Sequence, residues 1–101
     1  MNYQKLILVG NATDDAQRRT SKKGDVRFTT LDLAVSDARN QTTYFPVVVF
    51  GDQGGPVAEY VSKGRQVLVE GRIEVSGKGR FNVIADQVWI GPQPAAKSET
   101  K

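Results

Sequence analysis

The segment Thr43-Tyr44-Phe45-Pro46-Val47-Val48-Val49-Phe50-Gly51 is β-branched and aromatic almost from end to end, and it limits the fold more than any other stretch of the chain. Side chains of a strand alternate, so Tyr44, Pro46, Val48 and Phe50 share one face while Phe45, Val47 and Val49 share the other. Both faces are apolar. Covering both in a small chain takes a second sheet, a helix or another subunit; failing that, one aromatic face is left for a flat ligand such as a nucleobase. The strand alone leaves both outcomes open.

With 101 residues, 39% of them hydrophobic, the chain has the length of one domain with a real core, and no run approaches a transmembrane helix. The apolar run Leu6 to Val9 is too short for a signal peptide and no small-residue cleavage site follows it, so an intracellular protein is expected. Cysteine and histidine are both absent, which removes disulfides, thiolate chemistry, the commonest general base and the commonest transition-metal ligand. Neither an enzyme nor a cofactor is expected. Asp14, Asp15 and Asp25 have the chemistry to hold a hard cation, but a solvated acidic patch is the simpler account. The formal charge is only +3, yet Arg18, Arg19, Lys22 and Lys23 fall within a few residues of one another. That run reads either as a phosphate-binding loop or as an ordinary solvated one.

Apolar patterning and turn signals predict five strands and one helix. The first strand covers Tyr3 to Ala12, and a mobile polar loop, Thr13 to Gly24, carries the basic run. The second strand, Asp25 to Ser36, places Leu31, Leu33 and Val35 on one side and Thr30, Asp32 and Ala34 on the other. Asp37 to Thr42 is a polar turn, so the second and third strands form an antiparallel hairpin with a mobile tip. Gly51 to Pro56 ends the third strand. A short helix, Val57 to Lys63, then plugs one end of the core and stops at a left-handed cap on Gly64. Gln66 to Ile73 and Arg80 to Ile90 form a last tight hairpin around Ser76-Gly77-Lys78-Gly79. From Pro92 to Lys101 apolar periodicity is lost, which predicts a folded domain over 1–91 and a disordered tail over 92–101.

Five strands with a helix between the third and fourth is the element order of the OB-fold, an all-β Greek-key barrel. Such barrels bind oligonucleotides over strands 2 and 3 and with the 1–2 and 4–5 loops. Here Arg18, Arg19, Lys22 and Lys23 lie on the first of those loops, and Lys78 with Arg80 on the second. The cations fall where such a barrel grips a phosphate backbone.

Several segments together carry a resemblance: Lys5-Leu6-Ile7-Leu8-Val9-Gly10-Asn11, Leu33-Ala34-Val35-Ser36, Val47-Val48-Val49-Phe50-Gly51, Ala58-Glu59-Tyr60-Val61-Ser62-Lys63-Gly64 and Gln66-Val67-Leu68-Val69-Glu70-Gly71-Arg72-Ile73. In order and spacing the chain resembles the bacterial and organellar single-stranded DNA-binding proteins over Met1 to Gly91. Each motif is short; their joint occurrence is specific.

The resemblance implies that bases stack on Tyr44 and Phe50, which a strand places roughly 20 Å apart. Arg39 stands at the hairpin tip where the family often has a tryptophan, and a guanidinium both stacks on bases and pairs with phosphate. Arg72, Lys78 and Arg80 complete the candidate DNA contacts. Phe81 is either a partial substitute for an aromatic of the longer family hairpin or a core residue. Trp89 points to burial or a subunit contact ahead of stacking. The implied function is non-catalytic, sequence-independent binding and protection of single-stranded DNA in replication, recombination and repair. A homotetramer, with a dimer as the alternative, and a cytoplasmic, nucleoid-associated location come with it. Many family members recruit replication and repair proteins through an acidic, phenylalanine-tipped tail, and Pro92 to Lys101 contains no such peptide. The alternative is an accessory barrel of the primosomal replication-protein-N type that works by docking onto replication enzymes; RNA binding is a third reading.

Overall fold

Apolar side chains at every second position of several long strands are buried together when the sheet closes on itself, and that is the architecture found. The computed structural model describes residues 4–21, 24, 26–75, 77 and 79–92. In chain order the elements are β1 (Leu6–Ala12), β2 (Gln17–Thr20), β3 (Arg27–Ser36), β4 (Thr42–Phe50), α1 (Gly54–Tyr60), β5 (Gln66–Val75) and β6 (Phe81–Ile90). The sheet order is β1-β5-β6-β4-β3-β2, and the end of β1 returns to β3 through Asn11 opposite Ala34 and Ala12 opposite Leu33. Five strands thereby close into a barrel, with β2 added outside on β3. The pairings are antiparallel except β4 with β6, which run parallel at Val47–Val83 and Val48–Ile84. This is the OB-fold expected from the element order.

Each barrel strand sends inward the residues its alternation selects: Leu8, Leu31 and Leu33, Val47 and Val49, Val67 and Val69, and Val83 are all buried in one cluster. Among β-strands buried on one face only, this alternation fixes register, since a slip of one residue would turn the whole apolar set outward. β5 needs close approach as well as pattern. At Gly71, where the β5–β6 register shifts, a Cβ would fall on the Ile84 carbonyl, so only glycine lets the strands meet there.

Two expectations are corrected. The segment Thr13 to Gly24 is not wholly loop: Gln17–Thr20 pairs antiparallel with Arg27–Thr30, because β3 otherwise offers an open row of backbone donors and acceptors. The helix begins earlier, at Gly54, and ends at Tyr60, and Gly64 is not its cap. Val61 turns into an extended conformation, which buries its side chain to 2% exposure and presents its carbonyl to the Ala16 N–H at 3.0 Å. Gly64, with φ of 90°, instead serves a tight turn closed by the Arg65 N–H on the Ser62 carbonyl. The helix packs on the core through Val57, and Val61 adds to the same cluster directly after the helix ends. Tyr3, Lys22, Lys23, Asp25, Ser76, Lys78 and the tail from Gln93 to Lys101 lie outside the described residues.

Candidate nucleic-acid interface

The question posed by the β4 ribbon has a direct answer in exposure. Val47 and Val49 are 1% and 0% exposed, whereas Tyr44 is 63% and Phe50 49% exposed. One face is core and the other is open. Cross-strand register extends the open face over β3, with Ala34 opposite Tyr44, Asp32 opposite Pro46, Thr30 opposite Val48 and Phe28 opposite Phe50. The Phe28 and Phe50 rings are tilted at 52° with centroids 6.0 Å apart, a geometry that steadies Phe50 while leaving part of its surface free. Phe28 is a site residue that the sequence reading does not select; its signal is the same alternation that sets Thr30, Asp32 and Ala34 on this side of β3.

On the other flank, the parallel β4–β6 pairing sets Ile84 beside Val48, and the β5–β6 register sets Arg72 beside Ile84. The Arg72 guanidinium lies 3.4 Å from the exposed Asp86 carboxylate, a weak, solvated pair that competes little with a phosphate. Arg80 and Asn82 line an open depression against Pro46 and Phe81. Phe81 itself packs inward, edge to face on Phe45 with centroids 6.0 Å apart, and adds to the core cluster. Arg39 sits exposed at the tip of the β3–β4 hairpin. The Asp37 carboxylate braces that tip, accepting from the Arg39 and Gln41 N–H groups at 2.8 and 3.0 Å.

The pleat separates the two adjacent arginines of β2. Arg19 is opposite Phe28 and so lies on the open face, its Nε donating to Thr30 Oγ1 at 3.1 Å and its Nη2 to Gln17 Oε1 at 2.9 Å. Arg18 is opposite Thr29, which is fully buried, and reaches the other way. Its Nη1 donates to Thr29 Oγ1 at 3.1 Å and to the Gly51 carbonyl at 3.0 Å, while Thr29 donates onward to the Gly54 carbonyl at 2.8 Å. Arg18 therefore ties β2 to the chain between Phe50 and the helix. Gln53 adds a second tie, bonding with both groups of its amide to the β6 backbone at Asp86 and Val88. Tyr44, Phe50, Arg19 and Arg72 thus lie on or beside the open face, Arg80 borders it at the Pro46 depression and Arg39 stands at the tip of its hairpin; Arg18 points away, Phe81 packs on the core while lining that depression, and Lys22, Lys23 and Lys78 fall outside the described residues.

A second open surface is apolar. Val9 is opposite Leu68 and Leu68 opposite Trp89, with Ile7 in the next row; Ile7, Val9 and Trp89 are 58%, 47% and 49% exposed. Trp89 is thus unburied within one chain. Beside it, Lys5 and Glu70 form an ion pair at 3.1 Å.

An uncovered aromatic ribbon rimmed by arginines on a closed five-stranded barrel defines a nucleic-acid-binding OB-fold. The chain belongs to the single-strand binding protein family, whose model matches residues 3–82. It is 32% identical over 97 residues to a single-stranded DNA-binding protein of Clostridium tetani (strain Massachusetts / E88), covering 83% of this chain and 67% of the relative. A single-stranded DNA-binding protein of Clostridium perfringens (strain 13 / Type A) is 30% identical over 71 residues, covering 68% of this chain and 47% of that one. Among solved structures, a deletion mutant of the single-stranded DNA binding protein from Thermus aquaticus superposes with a TM-score of 0.78 at 25% identity, over 96% of this chain and 45% of the other. The SSB domain of a Synechococcus sp. protein gives 0.76 at 15% identity, over 87% and 96% of the two chains, a likeness of fold.

Proposed function

We propose that this chain binds single-stranded DNA without sequence preference, as a non-catalytic protein that keeps unpaired strands covered during replication, recombination and repair. The observation that carries the reading is the split along β4: core on one side, Tyr44 and Phe50 uncovered on the other. A duplex hides its base faces within the stack, so such platforms select for strandedness, and each stacked base typically contributes about 1–3 kcal/mol. Arg19, Arg72, Arg80 and Arg39 border the same surface and supply sequence-independent attraction to phosphate. Arg18 instead holds the backbone that follows Phe50, at the Gly51 carbonyl. The binding unit is the folded part of the chain, 1–91.

The apolar strip of Ile7, Val9, Leu68 and Trp89 supports assembly into a homo-oligomer, a tetramer with the dimer as the alternative, because exposed contiguous apolar surface of this kind is normally covered by a partner. A cytoplasmic, nucleoid-associated location accords with this function; among the described residues no helix is long and apolar enough to cross a membrane.

Side-by-side titration with oligo-dT, oligo-rU and duplex DNA tests the proposal. Tight binding to oligo-dT, weak binding to the duplex and loss of binding in a Tyr44→Ala, Phe50→Ala double variant are expected. Unchanged binding by that variant would point to action through protein partners instead.

A further inference from the structure

The parallel ladder between β4 and β6 consists of the rows Val47–Val83 and Val48–Ile84, and it stops where Pro46 brings no N–H to extend it. The strands part there. They leave an open depression of about 570 Å³ lined by Pro46, Gly79, Arg80, Phe81 and Asn82, a volume of the order that holds a small planar ligand. Alternation from Ile84, which lies beside Val48, puts Asn82 on the same open side as Tyr44 and Phe50, in the row of Pro46 between them. Asparagine is disfavoured in strands, and among the described residues the half-buried Asn82 amide meets no hydrogen-bond partner, so folding does not explain it.

The charges around the depression give a nucleotide one way to lie in it. Arg80 is the cation of its lining, while two exposed carboxylates flank the Pro46–Asn82 row, Glu74 directly opposite Asn82 on β5 and Asp32 opposite Pro46 on β3. A phosphate is drawn to Arg80 and repelled from both carboxylates, which leaves the base for Pro46 and Asn82. A side-chain amide carries a donor and an acceptor side by side, and a half-turn about its last torsion exchanges them. The Watson–Crick edge of every base likewise holds a donor beside an acceptor. We infer that this depression is a nucleotide subsite between the two aromatic platforms, in which Asn82 bonds the edge of whichever base arrives and Arg80 takes its phosphate. The inference deepens the proposed single-strand binding and rests on it, adding hydrogen bonds without adding sequence preference.

The test compares oligo-dT with a strand of equal length that carries difluorotoluene in place of thymine, a base of the same shape whose edge scarcely forms hydrogen bonds. By fluorescence anisotropy of the full chain, Asn82→Ala should bind oligo-dT, oligo-dA and oligo-dC about three- to tenfold more weakly than the parent, the net worth of a neutral hydrogen bond, and should bind the difluorotoluene strand as the parent does. Its salt slope should stay that of the parent, whereas Arg80→Ala should flatten the slope by about 0.7 on either strand. Circular dichroism checks folding, and Asn82→Val, a replacement at home in a strand, repeats the measurement if the alanine variant does not fold. Parent-like oligo-dT binding by Asn82→Ala, an equal loss on both strands, a loss confined to one base, or an unchanged slope in Arg80→Ala would overturn the inference and leave the strand-binding proposal standing. Failure of the parent chain to bind oligo-dT would overturn both.

Discussion

Arg18 and Arg19 carry the same charge on adjacent residues, yet the structure gives them opposite tasks, and replacing each by alanine separates those tasks. Arg18→Ala removes the Nη1 bonds to Thr29 Oγ1 and to the Gly51 carbonyl, at 3.1 and 3.0 Å. Thr29 keeps its bond to Gly54, so its buried hydroxyl is not orphaned. Hydrogen bonds from a charged donor contribute about 1.5–3 kcal/mol each when buried, and partial solvent access here reduces the pair to about 1–2 kcal/mol. For a domain of this length that corresponds to a melting temperature lower by roughly 5–10 °C. Arg19→Ala removes only solvent-exposed hydrogen bonds, so its stability should stay within about 0.5 kcal/mol of the parent. DNA binding should divide the other way. The slope of log affinity against log salt flattens by about 0.7 for each phosphate of a single strand that is no longer neutralised, and Arg19→Ala should show that change. Arg18→Ala should lower affinity by loosening Phe50 but leave the slope alone. Thermal melting followed by circular dichroism, with anisotropy titrations across a salt series, measures both. If Arg18→Ala melts within about 1 °C of the parent and flattens the slope as much as Arg19→Ala, the anchoring role assigned to Arg18 is wrong.

Single replacement of Tyr44 or Phe50 by alanine should weaken oligo-dT binding by about 1–3 kcal/mol, read by anisotropy, with melting temperature nearly unchanged for the more exposed Tyr44 and modestly lowered for Phe50, which is half-buried against Phe28. Gly71→Ala should destabilise the barrel by about 1–3 kcal/mol or more in denaturant unfolding, since its Cβ would meet backbone of Ile84 and Ala85 rather than a side chain that could swing aside. Val9→Glu places a charge in the row formed with Leu68 and Trp89, and light scattering after size exclusion should then report a smaller assembly than the parent chain forms. A parent chain that is already monomeric would remove the case for that surface as an interface.

What is legible in the sequence is whatever repeats locally. The two-residue alternation of Leu31, Leu33, Val47 and Val49 marks the β3–β4 hairpin and its buried side, and it also delivers Tyr44 and Phe50 to the opposite side. Gln17-Arg18-Arg19-Thr20 contains no apolar residue and all four positions are exposed, so nothing in the run signals a strand; β2 exists because β3 has an edge to pair with. Without that strand there is no pleat to divide Arg18 from Arg19, and the basic run reads as a single patch. The parallel pairing of β4 with β6 joins segments far apart in sequence and leaves no local mark. The helix end is hidden for a similar reason: Val61 continues the helical spacing of Val57, but a distant partner, the Ala16 N–H, draws it out of the helix.

β6 shows how one small barrel maintains two different outer surfaces. Val83 points into the core cluster, while Ile84, also buried but outside that cluster, lies on the opposite side beside Val48; strict alternation from there would turn Gln87 and Trp89 into the core. The register prevents this, because Gly71 pairs with Ala85 and Glu70 with Gln87, leaving Asp86 as an extra residue without a partner across the strands. A bulge of this kind reverses the parity of everything after it. Val88 and Ile90 then pack on the core while Gln87 and Trp89 face out, so the first half of β6 flanks the aromatic ribbon and the second half adds Trp89 to the apolar strip. The bulge is also tied on both sides, by Gln53 to the Asp86 carbonyl and by Arg72 to its carboxylate. The same extra residue that sends a tryptophan outward, onto the proposed interface, therefore also holds an arginine at the margin of the proposed DNA path.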